Sequence, residues 1–112
     1  MKTYCFALEL DDAPALIAEY KRYHQMENIW PSVVQSALSH GVVSEEIYLA
    51  GNRLFMILHT TDDFSLEAKR AADSANSEMQ KWEELMWRFQ KPLPFAQPGE
   101  KWVLMEKIFE VK

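Results

Sequence analysis

The chain has 112 residues, of which 48% are hydrophobic and 26% are charged, and its formal net charge at pH 7 is −5. These proportions are typical of a globular protein of one domain, so we expect a single domain over residues 1–112. The acidic balance disfavours a nucleic-acid partner, which needs clustered Lys and Arg, and no stretch approaches the ~18 apolar residues of a membrane span.

The first third of the chain predicts one strand and two helices. Period-two alternation indicates a strand at residues 3–10, and apolar residues at helical spacing indicate a helix that ends near Gln25. Pro31 opens a second helix, and Gly41 ends it, because proline fits a first helical turn and glycine a C-terminal stop. The single cysteine, Cys5, has no partner for an internal disulfide, which favours a reducing compartment and a cytoplasmic location.

The remainder of the chain predicts a hairpin, a broken helical region and a last strand. Two β-rich runs flank the step Gly51-Asn52, which is typical of a tight hairpin turn. A helical region follows, with a break near residues 74–77 and a second part that continues to Phe89. After a proline-rich loop, residues 101–112 are predicted to form a strand at the C-terminus.

The order of these elements predicts the fold class. Two β-α-β halves give an α+β, ferredoxin-like protein, in which an antiparallel sheet carries helices on one face. The last predicted strand has apolar residues on both of its faces, and one layer of helices cannot bury both. We therefore expect a homodimer in which the sheets of the two copies face each other.

His24 is the histidine best placed for chemistry. It follows Tyr20 by four residues, so the two side chains share one helix face, and imidazole is suited to proton transfer near neutral pH. The segment 29–31, with sequence IWP, is a plausible lining for a small polar pocket beside them. His40 lies at a helix end, where a cation is favoured without any catalytic role, and His59 lies at a strand end.

Trp82 and the carboxylates suggest a site for a polyhydroxylated ligand. Aromatic rings stack on the apolar faces of sugars and carboxylates bind hydroxyls, so Trp82 next to Glu83 fits a sugar platform. Core packing of Trp82 and a solvated Glu83 is the alternative. Glu45 and Glu46 lie in an otherwise apolar strand, and one of them must face the core or a pocket. The chain has no Cys cluster and no HExxH, GxGxxG or P-loop motif, so we expect no metal and no cofactor.

Short motifs run the length of the chain in a specific order: EYKRYH at residues 19–24, IWP at 29–31, SHG at 39–41, then IYL, NRLFMIL, MQKWEELM and LMEKIF. Their order and spacing resemble those of the L-rhamnose mutarotase family. The resemblance implies a cofactor-free enzyme that interconverts the α and β anomers of a 6-deoxy sugar. It also implies a ferredoxin-like protomer that forms a dimeric α/β barrel, with a sugar pocket in each protomer.

The resemblance assigns roles to three residues, and the chain departs from the family pattern at two others. It implies that His24 transfers protons and that Tyr20 and Trp82 hold the sugar. Where the family has a tyrosine four residues after the glycine of its His-Gly turn, this chain has Glu45, and the second tryptophan of the family's pair is Glu83 here. L-fucose differs from L-rhamnose in its hydroxyl orientations, including an axial 4-hydroxyl, and the two carboxylates are new hydroxyl acceptors. We therefore expect a mutarotase that favours L-fucose, with L-rhamnose close behind.

Other possibilities stay open on the sequence alone. Tyr48 in the IYL strand is a further candidate for sugar binding, and either Glu45 or Glu83 is a candidate for the second acid–base group. The same barrel architecture also occurs in cofactor-free monooxygenases and haem-degrading proteins, so the fold does not decide the function. A non-catalytic paralogue that binds a sugar without accelerating anomer exchange is the other alternative.

Overall fold

The computed structural model describes residues 1–112 and contains five strands and four helices. In chain order these are β1 (Lys2–Leu10), α1 (Pro14–Tyr23), α2 (Pro31–Ser39), β2 (Val42–Ala50), β3 (Arg53–Thr60), α3 (Leu66–Ser74), α4 (Ser77–Met86), β4 (Gln90–Lys91) and β5 (Val103–Leu104). The predicted order is confirmed, with the short β4 as an addition. Each helix has at most ten residues, and none is long and apolar enough to cross a membrane.

The strands form one antiparallel sheet in the order β2-β3-β1-β4. The predicted hairpin at Gly51-Asn52 joins β2 to β3. β1 is the central strand, because it pairs with β3 on one edge and with both β4 and β5 on the other. The predicted α+β class with an antiparallel sheet is therefore confirmed.

The helices cover one face of the sheet. Alternate residues of β1 and β3 are buried against side chains of α1, of α4 and of the turn that follows α4, and the largest core cluster consists of Leu8, Leu10, Tyr20, Leu54, Trp82, Met86 and Phe89. Burial of each large apolar side chain contributes roughly 1.5–3 kcal/mol to folding. The opposite face carries the intervening residues, among them Phe55 and Ile57, which are only half-buried because no helix covers them.

Two predicted element ends differ in the structure. α4 ends at Met86 rather than Phe89, because a tighter turn closes the helix and Gln90 then enters β4. The predicted C-terminal strand is wrong over most of its length. Only Val103–Leu104 pair with β1, and the chain leaves the sheet after Met105. Alternating apolar residues form a strand only where a neighbouring strand accepts their backbone hydrogen bonds, and residues 106–112 find none within this chain.

Candidate functional site

Three of the predicted site residues, Tyr20, His24 and Trp82, meet where α1 and α4 pack on the helix-covered face of the sheet. His24 is the C-cap residue of α1, one turn after the buried Tyr20. Trp82 and Glu83 lie on α4, and Glu45 lies on β2. Two helices that are far apart in the sequence therefore bring Tyr20, His24 and Trp82 together, and the charges of Glu83 and Glu45 act on Tyr20.

The His24 ring is fixed by a hydrogen bond to the backbone. Its Nδ1 lies 2.8 Å from the carbonyl oxygen of Tyr20. Because a carbonyl can only accept, Nδ1 carries the hydrogen, and the Nε2 lone pair of the neutral ring is free to take a proton. Burial lowers the pKa of His24 from its ordinary value of 6.5, and the bond to Tyr20 opposes this shift. The His24 ring is therefore neutral at physiological pH.

Aromatic rings surround His24. The ring centroids of Tyr20 and His24 are 4.3 Å apart, and those of His24 and Trp82 are 5.4 Å apart. Trp30, from the IWP motif, extends this wall, and its ring centroid lies 5.2 Å from that of Trp82. Trp82 is only 5% exposed, so it packs in the core with most of its surface and contacts His24 with one edge. This burial supports the alternative interpretation of Trp82, core packing, over a sugar platform exposed to solvent.

Tyr20 is held as a neutral phenol. Burial raises its pKa well above the ordinary range, and the charges of Glu83 and Glu45 add to this, while a hydrogen bond from Gln90 opposes it. The Nε2 of Gln90 donates to the Tyr20 hydroxyl oxygen at 3.2 Å. No group of the chain accepts the hydroxyl hydrogen of Tyr20, and the Oε1 of Gln90 is likewise buried without a hydrogen-bond partner. Sequence analysis missed Gln90, because no motif marks it.

Glu45 lies on the helix-covered side of the sheet. It pairs in register with the buried Leu58, and the two therefore share a face. Although Glu45 is exposed to solvent, the protein around it desolvates the carboxyl and raises its pKa; Lys69 opposes this and Asp73 adds to it. The Nζ of Lys69 is already bound to Asp73 at 2.6 Å. Glu45 therefore has no cation of its own.

Tyr48 does not join this cluster. It lies on the opposite face of β2 from Glu45, it is 52% exposed, and its hydroxyl donates to Glu46 at 3.1 Å. The cause is the two-residue period of a strand: residues three apart point to opposite faces. The alternation that directs Glu45 towards the helices directs Tyr48 away from them.

Glu83 is paired with a lysine that sequence analysis did not select. Its Oε2 lies 2.6 Å from the Nζ of Lys101, which also donates to the backbone carbonyl of Glu83 at 3.2 Å. Lys101 comes from the proline-rich loop between β4 and β5, eighteen residues further along the chain. No local pattern in the sequence predicts this contact.

The arrangement combines a base, a phenol donor, two carboxylates and an aromatic wall. These groups suit a ligand that has several hydroxyls, an apolar ring face and a proton to be moved. The carboxylates differ in setting, because Glu83 is paired with a cation and Glu45 is not.

Comparisons with known proteins point in the same direction. A family model described as L-rhamnose mutarotase matches residues 3–111. An L-fucose mutarotase of Xanthomonas campestris pv. campestris is 44% identical over 109 residues, which span 97% of this chain and 87% of that protein. A UPF0734 protein of Dictyostelium discoideum is 32% identical over 114 residues, which span 98% of this chain and 90% of that protein.

Solved structures share the fold. The crystal structure of an L-rhamnose mutarotase from Formosa agariphila superimposes with a TM-score of 0.73 at 19% identity, over 100% of both chains. Tetracenomycin F2 cyclase from Streptomyces glaucescens, a type-II polyketide cyclase, gives a TM-score of 0.64 at 15% identity, over 100% of this chain and 98% of its own. At such identities the likeness shows the fold alone, and the two proteins differ in activity.

The lowered pKa of His24 predicts how stability depends on pH. The folded state binds a proton at His24 less readily than the unfolded state does. This residue's contribution to stability is therefore complete above pH 6.5 and is lost as the pH falls through 6.5 towards the folded-state pKa. Urea unfolding at pH 7.5 and pH 5.5 measures the loss, and His24→Gln should reduce it.

His40→Gln is the matched control for this measurement. The Nδ1 of His40 lies 2.7 Å from the carbonyl oxygen of Ser36, the same contact that His24 makes at the end of its own helix, but His40 is exposed. The His40 variant should keep the pH dependence of the unmodified protein. An unchanged pH dependence in His24→Gln would contradict a buried neutral imidazole.

Proposed function

The chain belongs to the L-rhamnose mutarotase family and, as a member, is a sugar mutarotase acting on 6-deoxy-L-hexoses; we propose that its preferred sugar is L-fucose, with L-rhamnose second. The observation that carries this proposal is the pair of carboxylates, Glu45 and Glu83, whose charges both act on Tyr20. Carboxylates accept hydroxyl hydrogens that an aromatic side chain cannot bind. The L-fucose mutarotase of Xanthomonas, at 44% identity, supports the same choice.

The reaction needs two proton transfers. A proton leaves the anomeric hydroxyl and another reaches the ring oxygen, so the C1–O5 bond opens to an aldehyde. The aldehyde rotates about its C1–C2 bond, and the reverse transfers close the ring with the other anomeric configuration. We assign the first transfer to Nε2 of His24, because Nδ1 stays bound to the Tyr20 carbonyl in both protonation states. Ring closure returns the proton, and no cofactor is consumed.

The remaining groups orient the sugar and complete the proton path. Tyr20 donates its free hydroxyl hydrogen, Trp82 lines the pocket, and Glu83 accepts a sugar hydroxyl. Glu45 is the better second acid–base group, because desolvation raises its pKa and Lys69 is occupied by Asp73. A carboxyl with a raised pKa carries a proton closer to neutral pH than an ordinary one does.

The uncovered face of the sheet supports a homodimer. Phe55 and Ile57 lie on this face, and in the unpaired tail Ile108 and Phe109 are 87% and 78% exposed. So many exposed apolar side chains are uncommon on a monomer. We infer that a second copy covers it, sheet against sheet, as a dimeric α/β barrel. The single free cysteine, Cys5, fits a reducing, cytoplasmic setting for this dimer.

A charge on the uncovered face tests the dimer. Ile57→Lys should convert a dimer to a monomer in sedimentation equilibrium, because a buried unpaired lysine is strongly unfavourable at an interface. Val34→Lys is the control: Val34 is an exposed apolar residue on α2, within the helical layer, and its replacement should leave the dimer intact. A monomeric unmodified protein at the same concentration would contradict the inference.

Replacement of His24 tests the assigned mechanism. His24→Ala should lower the enzyme-catalysed anomer exchange of L-fucose by about 100-fold or more, since it removes the proton-transfer group. Exchange NMR of the anomeric protons measures the rate. His40→Ala removes the same type of helix-end hydrogen bond away from the cluster and should retain normal exchange. Near-normal exchange in His24→Ala would remove His24 from the mechanism.

A further inference from the structure

We propose that Lys101 is a positioning residue that fixes the carboxylate of Glu83 for sugar binding, an inference that rests on the mutarotase function proposed above. The Nζ of Lys101 contacts Glu83 twice, at Oε2 (2.6 Å) and at the backbone carbonyl oxygen (3.2 Å). One ammonium group therefore bridges the carboxylate and the main chain of the same residue. This bridge holds the side chain of Glu83 in one orientation relative to α4.

Lys101 is unlike the surface lysines of the chain. Its side chain is only 10% exposed, and its Nζ lies 4.6 Å from the ring centroid of Trp87, within the range of a cation–π contact. By contrast, Lys81 and Glu78 form an exposed ion pair on α4. Their side chains are 67% and 55% exposed, and the Nζ of Lys81 lies 3.6 Å from Oε1 of Glu78. A cation withdrawn from water is stable only with close partners, so Lys101 is committed to Glu83 and Trp87.

The backbone at Lys101 is anchored by its neighbour. Trp102 packs against both apolar clusters of the core, and β5 begins at the next residue. The position of the ammonium group is therefore determined by the fold and not by a mobile surface loop. A short ion pair from such an anchor constrains the carboxylate more than an exposed pair does.

The ion pair leaves part of the carboxylate available to a ligand. Lys101 occupies Oε2, and no other group of the chain forms a hydrogen bond or ion pair with the Glu83 carboxylate. Glu83 also acts electrostatically on Tyr20, which places its charge near the sugar-binding cluster. The cation balances this charge, so the pocket presents an oriented hydroxyl acceptor without a net negative charge from the pair. A neutral sugar is the ligand that such a pair suits.

Lys101→Met tests the inference, because it removes the ammonium group and keeps the length of the side chain. The KM for L-fucose exchange should rise about tenfold while kcat changes by less than about twofold, since hydroxyl binding contributes to ground and transition states alike. Lys101→Arg, which can pair with the carboxylate, should recover part of the lost affinity. Lys81→Met is the control on α4 and should have no effect on either constant.

A double variant distinguishes action through Glu83 from a general structural role. Glu83→Gln alone should also raise KM, and Lys101→Met added to it should raise KM by less than about a further twofold. Independent, multiplying effects would overturn the inference, as would a loss confined to kcat. Circular dichroism and urea unfolding of each variant identify any failure to fold.

A binding titration keeps the inference separable from the proposed function. L-fucose affinity is measured by the change in intrinsic tryptophan fluorescence in the unmodified protein, Lys101→Met and Lys101→Arg. If the unmodified protein binds L-fucose without accelerating exchange, the proposed function fails, and a weaker affinity in Lys101→Met that Lys101→Arg recovers still supports the positioning role. Unchanged affinity in Lys101→Met overturns the inference, whatever the exchange rate.

Discussion

The site depends on one hydrogen bond, from Nδ1 of His24 to the carbonyl of Tyr20. The last carbonyls of a helix have no partner within the helix, and the end of α1 places one of them within reach of the ring four residues later. This bond occupies Nδ1 and leaves the lone pair of Nε2 free to accept a proton. His40 makes the same bond to Ser36 at the end of α2, but it is exposed. Burial beside Trp82 therefore distinguishes the catalytic candidate from a helix cap.

The two carboxylates of the site have different electrostatic settings, and this difference suits them to different tasks. Glu83 is paired with the buried cation of Lys101, which favours a fixed orientation of the carboxylate. Desolvation raises the pKa of the Glu45 carboxyl, and Lys69, which is held by Asp73, opposes this shift without removing it. We therefore propose that the two carboxylates give the site one hydroxyl acceptor and one group able to carry a proton.

Local contacts were predictable from the sequence, and long-range ones were not. The four-residue spacing predicted that Tyr20 and His24 share a helix face, because helix geometry alone sets that contact. The two-residue period of a strand also places Tyr48 and Glu45 on opposite faces of β2, although the IYL motif made Tyr48 a candidate for the same site. Lys101 reaches Glu83 only because a proline-rich loop returns to α4. The prediction of a long C-terminal strand was wrong for a related reason. Alternation of apolar residues specifies which residues share a face but not which strand accepts their hydrogen bonds.

The most direct test of the central claim, that these carboxylates turn a family pocket towards L-fucose, is exchange NMR of the anomeric protons of L-fucose and L-rhamnose in parallel, with and without the unmodified protein. The account predicts that the protein accelerates exchange for both sugars and has the larger kcat/KM for L-fucose. A larger kcat/KM for L-rhamnose would keep the enzyme class and contradict the role given to Glu45 and Glu83. Acceleration of neither would contradict the mutarotase account itself and favour a binding protein.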